Sequence, residues 1–415
     1  MIQDSLLFTP ASIGPLTLRN RVIRAAAFEG MGKDNAPTQQ LIDYHTSVAA
    51  GGVGMTTVAY AAIVQSGLSF PTQLWLKSDY VPELRRMTDS IHREGAAASI
   101  QMGHCGNMSH KKICGCLPIS TNSGFNLYSP TFVRGMRTSE VKQMVKDFGK
   151  AVHVAHDAGF DAVEVHAGHG YLLSQFMSTW LNHRKDEYGG SFENRLRFTK
   201  EAMDQVMEAA TKHGMAVLVK MNMRDGFKGG MELDESIEVA KLLEASGAHA
   251  LVLSGGYVSR APMYVMRGAM PIKTLTHYMP FGYLKLGVGM IGHWMIPPVP
   301  FREGYFMEDA EKFRQVIKIP LVCLGGMTSR AIIEKALGKG FEFIGMARAL
   351  IQDPAFVNHM REAEEQGCGT AYRSKCKHTN YCIGRMYTLD MSCHQHRDDV
   401  PQRLLKELKH NEAKY

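Results

Sequence analysis

The sequence predicts an α/β fold, a single (β/α)8 TIM barrel with extended loops at its C-terminal face and a C-terminal tail. Three observations carry that expectation. An apolar-periodic stretch ending in Gly and followed at once by a short apolar run occurs four times, beginning at Gly51, Gly159, Gly247 and Gly340. Four more apolar runs, at residues 22–27, 97–102, 217–221 and 320–324, bring the strands to eight. The 415 residues exceed the roughly 250 that a barrel of this kind commonly takes, which leaves room for insertions and a tail.

Each element follows from local chemistry. The repeated Gly stands where a helix C-terminus favours a left-handed residue, and the run after it is apolar throughout, as a strand buried on both faces must be. Val141, Met144, Val145, Phe148, Val152 and Ala155 share one face at helical spacing. Ile237, Ala240 and Leu243, and then Ile332, Ile333, Ala336 and Leu337, repeat the pattern. Strands alternating with helices imply a parallel sheet. An open doubly wound sheet would place a G-x-G-x-x-G turn after its first strand, and the first strand here runs into Ala25-Ala26-Ala27-Phe28-Glu29 instead. Long irregular stretches at 106–137 and 254–307 follow strands, so they belong at the C-terminal face, where barrels carry their sites.

Composition narrows the class. Charged residues at 21% and hydrophobic residues at 45% are ordinary for a globular chain and exclude a disordered one. The net charge of +7 is spread without a Lys/Arg run, so no nucleic-acid partner is expected, while a phosphorylated ligand suits a mildly basic surface. No apolar run reaches the ~18 residues of a membrane span, and the N-terminus lacks a signal-peptide pattern. A cytoplasmic protein with reduced thiols and no membrane partner is expected.

The segment His166-Ala167-Gly168-His169-Gly170-Tyr171 closes the fourth strand with two imidazoles and a phenol. Zinc ligation, structural burial and catalysis are the three readings. The H-E-x-x-H spacing of metalloproteases is absent, and no metal site is expected.

The sequence that follows, Asn182-His183-Arg184-Lys185-Asp186-Glu187-Tyr188-Gly189-Gly190-Ser191-Phe192-Glu193-Asn194-Arg195, resembles the N-x-R-x-D-E-Y-G-G-S-x-E-N-R signature of the old yellow enzyme family. Gln101-Met102-Gly103-His104, Gly325-Gly326 and Met346-Ala347-Arg348-Ala349 match further landmarks in order, and the resemblance covers residues 5–360. It is nearest to the barrel domain of 2,4-dienoyl-CoA and enoate reductases. It implies an FMN-binding barrel over residues 1–365 and a Cys-containing tail over 366–415.

The resemblance also implies an activity: reduction of the C=C bond of an α,β-unsaturated carbonyl compound, an enone or enoyl substrate, with NADH or NADPH as reductant. His166 and His169 would hydrogen-bond the carbonyl oxygen, and Tyr171 would protonate the α-carbon. Gln101 would bond the flavin pyrimidine ring. Lys220, where relatives carry Arg, would face the flavin N1/O2 edge. Gly325, Gly326, Ala347 and Arg348 would hold the phosphate. Ala26, Ala27, Phe28 and Tyr60 would line the flavin ring, with Phe28 and Tyr60 departing from the smaller or polar residues of relatives. An oxidative dehydrogenase or demethylase and a non-catalytic flavin-binding protein are the alternatives on the same scaffold.

In those relatives four cysteines of the tail bind a 4Fe–4S cluster. This chain has Cys376, Cys382 and Cys393, with Thr379 at one ligand position, so no cluster is expected. Relatives continue into FAD and nicotinamide domains. For a chain ending at Tyr415, electrons are expected directly from NAD(P)H or from a separate donor. Leu404, Leu405 and Leu408 suggest a short tail helix suited to packing in a homo-oligomer.

Overall fold

The computed structural model describes residues 5–127, 129–279, 282–386 and 389–415, apart from the side chains of Tyr283, Leu284 and Thr370. Eight parallel strands close into a barrel: β1 (Val22–Arg24), β2 (Met55–Ala62), β3 (Ala97–Gly103), β4 (Ala162–His166), β5 (Ala216–Asn222), β6 (Ala250–Ser254), β7 (Leu321–Cys323) and β8 (Phe343–Met346). Each pairs with the next in sequence, and β8 closes on β1 through Ile344 opposite Val22. The sequence places all eight, with bounds within three residues except at the end of β2, which runs on to Ala62. Helices α1 (Gln39–Ala50), α2 (Val81–Arg93), α3 (Thr138–Asp157), α4 (Phe192–His213), α5 (Leu233–Ala245), α6 (Met307–Arg314), α7 (Arg330–Gly338) and α8 (Phe356–Glu365) lie between and after the strands.

The repeated glycines behave as helix terminators. Gly159, Gly247 and Gly340 have φ of +83°, +89° and +87°. In the first copy that part falls to Gly52 at +103°, one residue later than the sequence reading placed it.

Two apolar layers fix the barrel. Inside its lower end, Ile23, Met55, Leu218, Val252, Val322 and Phe343 meet Ile13 and Leu18 of an N-terminal hairpin that plugs the bottom. Outside, the inward helix faces cover the strands; Phe148, Val152 and Ala155 of α3 are fully buried. Burying one such large side chain contributes about 1.5–3 kcal/mol.

Strand register sets the site. Alternation of side chains across a parallel pair brings Glu164 beside Gln101 and His166 beside Lys220. All four therefore stand at the upper end of neighbouring strands.

The tail after residue 365 packs back on the barrel. Ser374 donates its N–H to the Thr328 carbonyl (2.7 Å) and Met391 to the Glu29 carbonyl (2.7 Å). The C-terminal helix α9 (Gln402–Lys414) buries Leu404 and Leu408 against Tyr381 of the same chain. Its Glu407 carboxylate accepts the N–H groups of Lys273 and Thr274 at 2.7 and 2.9 Å. These tail leucines thus pack within the chain. Among the described residues no helix is long and apolar enough to cross a membrane.

Candidate active site

A cavity opens at the C-terminal face. Ala25, Ala26, Ala27, His169, Lys220, Ser254, Gly325, Gly326, Ala347 and Arg348 all contribute to its lining. Phe28, Tyr60, Gln101, His166 and Tyr171 stand just outside its lining. Phe28 turns to stack on Phe70, with ring centroids 4.8 Å apart.

The His-His-Tyr segment forms a turn after β4. His169 adopts φ +57° and Gly170 +79°, a conformation that a β-carbon disfavours. Two bonds hold it there: the His169 N–H donates to Asn222 Oδ1 and the Val258 N–H to the His169 carbonyl, both 3.0 Å. The turn brings the rings together. His166 and His169 have centroids 5.1 Å apart, and His166 and Tyr171 4.4 Å. Tyr60 packs on Tyr171 at 5.0 Å and bonds the Gly67 carbonyl through its hydroxyl at 2.7 Å.

Burial pushes both imidazoles toward the neutral form. His169 is held down to about 3 by burial and then by the Lys220 charge. His166 is lowered by burial, by His169 and by Lys220. Each is therefore an uncharged hydrogen-bonding group at neutral pH and not a proton source. His169 Nε2 lies 2.7 Å from Ser254 Oγ, which fixes its ring plane.

Lys220 does not stand alone. Its Nζ lies 2.8 Å from Glu164 Oε1, with both side chains at most 3% exposed, and donates to the Ala26 carbonyl at 3.3 Å. Gln101 Nε2 donates to the same Glu164 oxygen at 2.6 Å. A buried charge needs such partners. Glu164 was missed at the sequence level, although a lone acid inside Val163-Glu164-Val165 signals a buried partner.

A second buried pair lies beneath Ala25–Ala27. Arg24 and Glu29 meet at 2.7 Å. Arg24 also donates to the Thr57 and Ala27 carbonyls at 2.6 and 2.9 Å, and Glu29 accepts the Ala59 N–H at 3.1 Å. These bonds tie the end of β1 to β2.

The turn after β7 is shaped for backbone approach. Gly325 and Gly326 have φ +95° and +77°. A β-carbon on Gly326 would fall 2.8 Å from the Arg302 carbonyl oxygen, and one on Gly325 2.6 Å from Phe306. Only glycine fits both positions. Arg348 donates to Asn380 Oδ1 at 2.7 Å, and Asn380 Nδ2 donates to the Arg267 and Ala269 carbonyls. The tail thus braces the Arg348 guanidinium. Tail residue His378, stacked on Phe301 at 3.6 Å, lines the cavity too. No sequence pattern pointed to either contact. Among the described residues no three His, Cys, Asp or Glu side chains converge as a metal site.

The lining fits FMN: two glycines and a guanidinium suit a phosphate, and a buried cation with the small side chains of Ala25, Ala26 and Ala27 suits a flat, hydrogen-bonding ring.

Comparison with known proteins agrees. The family model described as NADH:flavin oxidoreductase / NADH oxidase matches residues 6–280. The chain is 41% identical over 386 residues to the 4,4'-dithiodibutanoate disulfide reductase of Rhodococcus erythropolis, covering 92% of this chain and 93% of that one. It is 28% identical to the cinnamate reductase of Clostridium sporogenes, covering 87% of this chain and only 53% of that one. The solved 2-naphthoyl-CoA reductase complex shares the fold, with a TM-score of 0.78 at 22% identity, over 97% of this chain and 58% of that one. FMN, with a nicotinamide reductant, is the cofactor of the matched family. The chain is an oxidoreductase that belongs to the NADH:flavin oxidoreductase / NADH oxidase family.

Proposed function

We propose that the protein uses NAD(P)H to reduce the C=C bond of α,β-unsaturated carbonyl compounds. The supporting observation is the grouping of His169 and Tyr171 about His166, at 5.1 and 4.4 Å, beside the cavity that His169 and Lys220 line. FMN, when bound, supplies the hydride for the β-carbon. The chain's own groups handle the charge and the proton. Two neutral imidazoles suit the carbonyl oxygen, where negative charge develops. The Tyr171 phenol gives a proton to the α-carbon. Lys220 and Gln101, held together by Glu164, orient the ring edge.

A second reading, disulfide reduction, is favoured by the 41% identity to the Rhodococcus enzyme. The two differ in their need for acid. A carbanion must be protonated at carbon, whereas a thiolate, with an ordinary pKa of about 8.5, leaves without help. Tyr171→Phe is therefore expected to slow enone reduction at least ~100-fold, the low end of general acid catalysis, and to leave disulfide reduction within about twofold. Steady-state NADPH oxidation with 2-cyclohexenone and with 4,4'-dithiodibutanoate tests this. Wild-type turnover of the disulfide alone would replace the alkene reading with the second.

A further inference from the structure

We infer that the helix Gly282–Met295 docks the protein on the surface of an anionic phospholipid bilayer. The inference is independent of the alkene reading, because it concerns an outer face of the connection between β6 and β7 and none of the reacting groups.

One side of this helix is held by the protein. Val288 and Ile296 pack into an apolar cluster with Met263, Met270, Ile272 and Leu275, and a β-carbon on Gly292 would fall 3.0 Å from the Ile272 side chain. The other side is bare. Leu286, Met290 and Trp294, spaced i, i+4 and i+8, are 66, 75 and 84% exposed, and Ile291 beside them is 48% exposed. Single exposed apolar side chains are ordinary, but a contiguous row of them marks a binding surface. Cations flank the row. Lys285 is exposed one residue before Leu286. His277 Nδ1 lies 2.8 Å from the guanidinium of Arg403 on α9, and burial, then the charges of Arg403 and Lys285, hold His277 below its ordinary value. Residues 245–302 contain no Asp or Glu, and the Glu407 carboxylate of α9 is turned to the N–H groups of Lys273 and Thr274.

These two features select the partner. An apolar row ending in Trp, with Lys and Arg beside it, is the composition of helices that lie in the headgroup region of a bilayer. There the apolar side chains enter the acyl boundary and the cations meet phosphates. At 1.5 Å per residue the 14 residues of the helix extend about 21 Å, short of the roughly 30 Å hydrocarbon core, so it lies on the surface and does not cross. A second copy of the chain fits less well. A twofold contact sets a face against itself, which brings the Lys285, His277 and Arg403 groups of two copies together with no acid from residues 245–302 to offset them. The sequence expectation of no membrane partner rested on the absence of a span, which surface docking does not require. The apolar cluster beneath the helix also reaches the active-site cavity, since Met266 and Ile383 belong to both.

The test is co-sedimentation of the FMN-loaded protein with vesicles of phosphatidylcholine, either alone or with about a third phosphatidylglycerol. Wild type should bind the anionic vesicles at least about tenfold more tightly than the neutral ones, since each cation near the surface contributes about fivefold. High salt should reduce that preference. The Trp294 emission, taken as the difference between wild type and Trp294→Phe, should shift to the blue on binding. Leu286→Gln combined with Met290→Gln should weaken binding to the anionic vesicles at least about tenfold and keep full flavin content. Lys285→Gln should weaken it about fivefold. Wild-type protein that stays in the supernatant, that binds neutral and anionic vesicles equally, or that binds with an unshifted Trp294 emission would overturn the inference. So would a dimer in sedimentation velocity that the Leu286→Gln, Met290→Gln variant converts to monomer, which would assign the face to a second copy. The wild-type measurements decide the outcome even where the double variant fails to fold.

Discussion

Replacing Lys220 by Met removes the cation from a buried pair and leaves Glu164 with the bond from Gln101. Breaking a buried pair from one side costs about 3–5 kcal/mol. Because Gln101 still donates, the low end of that range, about 3 kcal/mol, is expected at pH 8. Adding Glu164→Gln removes the stranded charge, and the double variant should regain most of the loss. Urea unfolding followed by circular dichroism measures both. A Lys220→Met midpoint within the equivalent of about 1 kcal/mol of wild type at pH 8, or a double variant weaker than the single one, would refute the reasoning.

Other consequences follow from the same contacts. Glu164→Gln unmasks the Lys220 charge, so the midpoint potential of bound FMN should rise, measured by dye-equilibrated spectrophotometry; an unchanged or lower potential contradicts it. Gly326→Ala forces a left-handed residue and a 2.8 Å contact on the proposed phosphate site. The strain alone, about 1–2 kcal/mol, should weaken FMN binding roughly tenfold or more by flavin-fluorescence titration. His104 and His169 are both held to about 3 by burial. Their folded pKa values lie below the unfolded value near 6.5, so the unfolded chain binds more protons in that window. Stability should fall as pH drops from 6.5 toward 3, and substituting His104 with Gln should flatten that fall in acid-unfolding curves.

Much of the fold was legible because the physics is local. Buried parallel strands are apolar throughout, and helices ending in Gly announce themselves. At Gly325 and Gly326 too, a left-handed backbone conformation dictates the residue type. What escaped were partnerships between distant segments. Lys220 read as a lone cation because nothing in its own strand names Glu164, which the β4–β5 register delivers. Asn380 and His378 lie in a tail whose sequence pointed to a lost cluster site, yet they brace Arg348 and line the cavity. Leu404 and Leu408 suggested an oligomer contact, and they meet Tyr381 within the chain. Phe28 was placed by position along β1, but the direction of its side chain is set by Phe70, more than forty residues away.

The most direct test of the account is anaerobic stopped-flow on NADPH-reduced holoenzyme mixed with 2-cyclohexenone. The account predicts return of oxidised-flavin absorbance near 450 nm with saturated ketone as product, and a Tyr171→Phe rate at least ~100-fold slower. A flavin that stays reduced with every enone, or an unchanged rate in Tyr171→Phe, would contradict it.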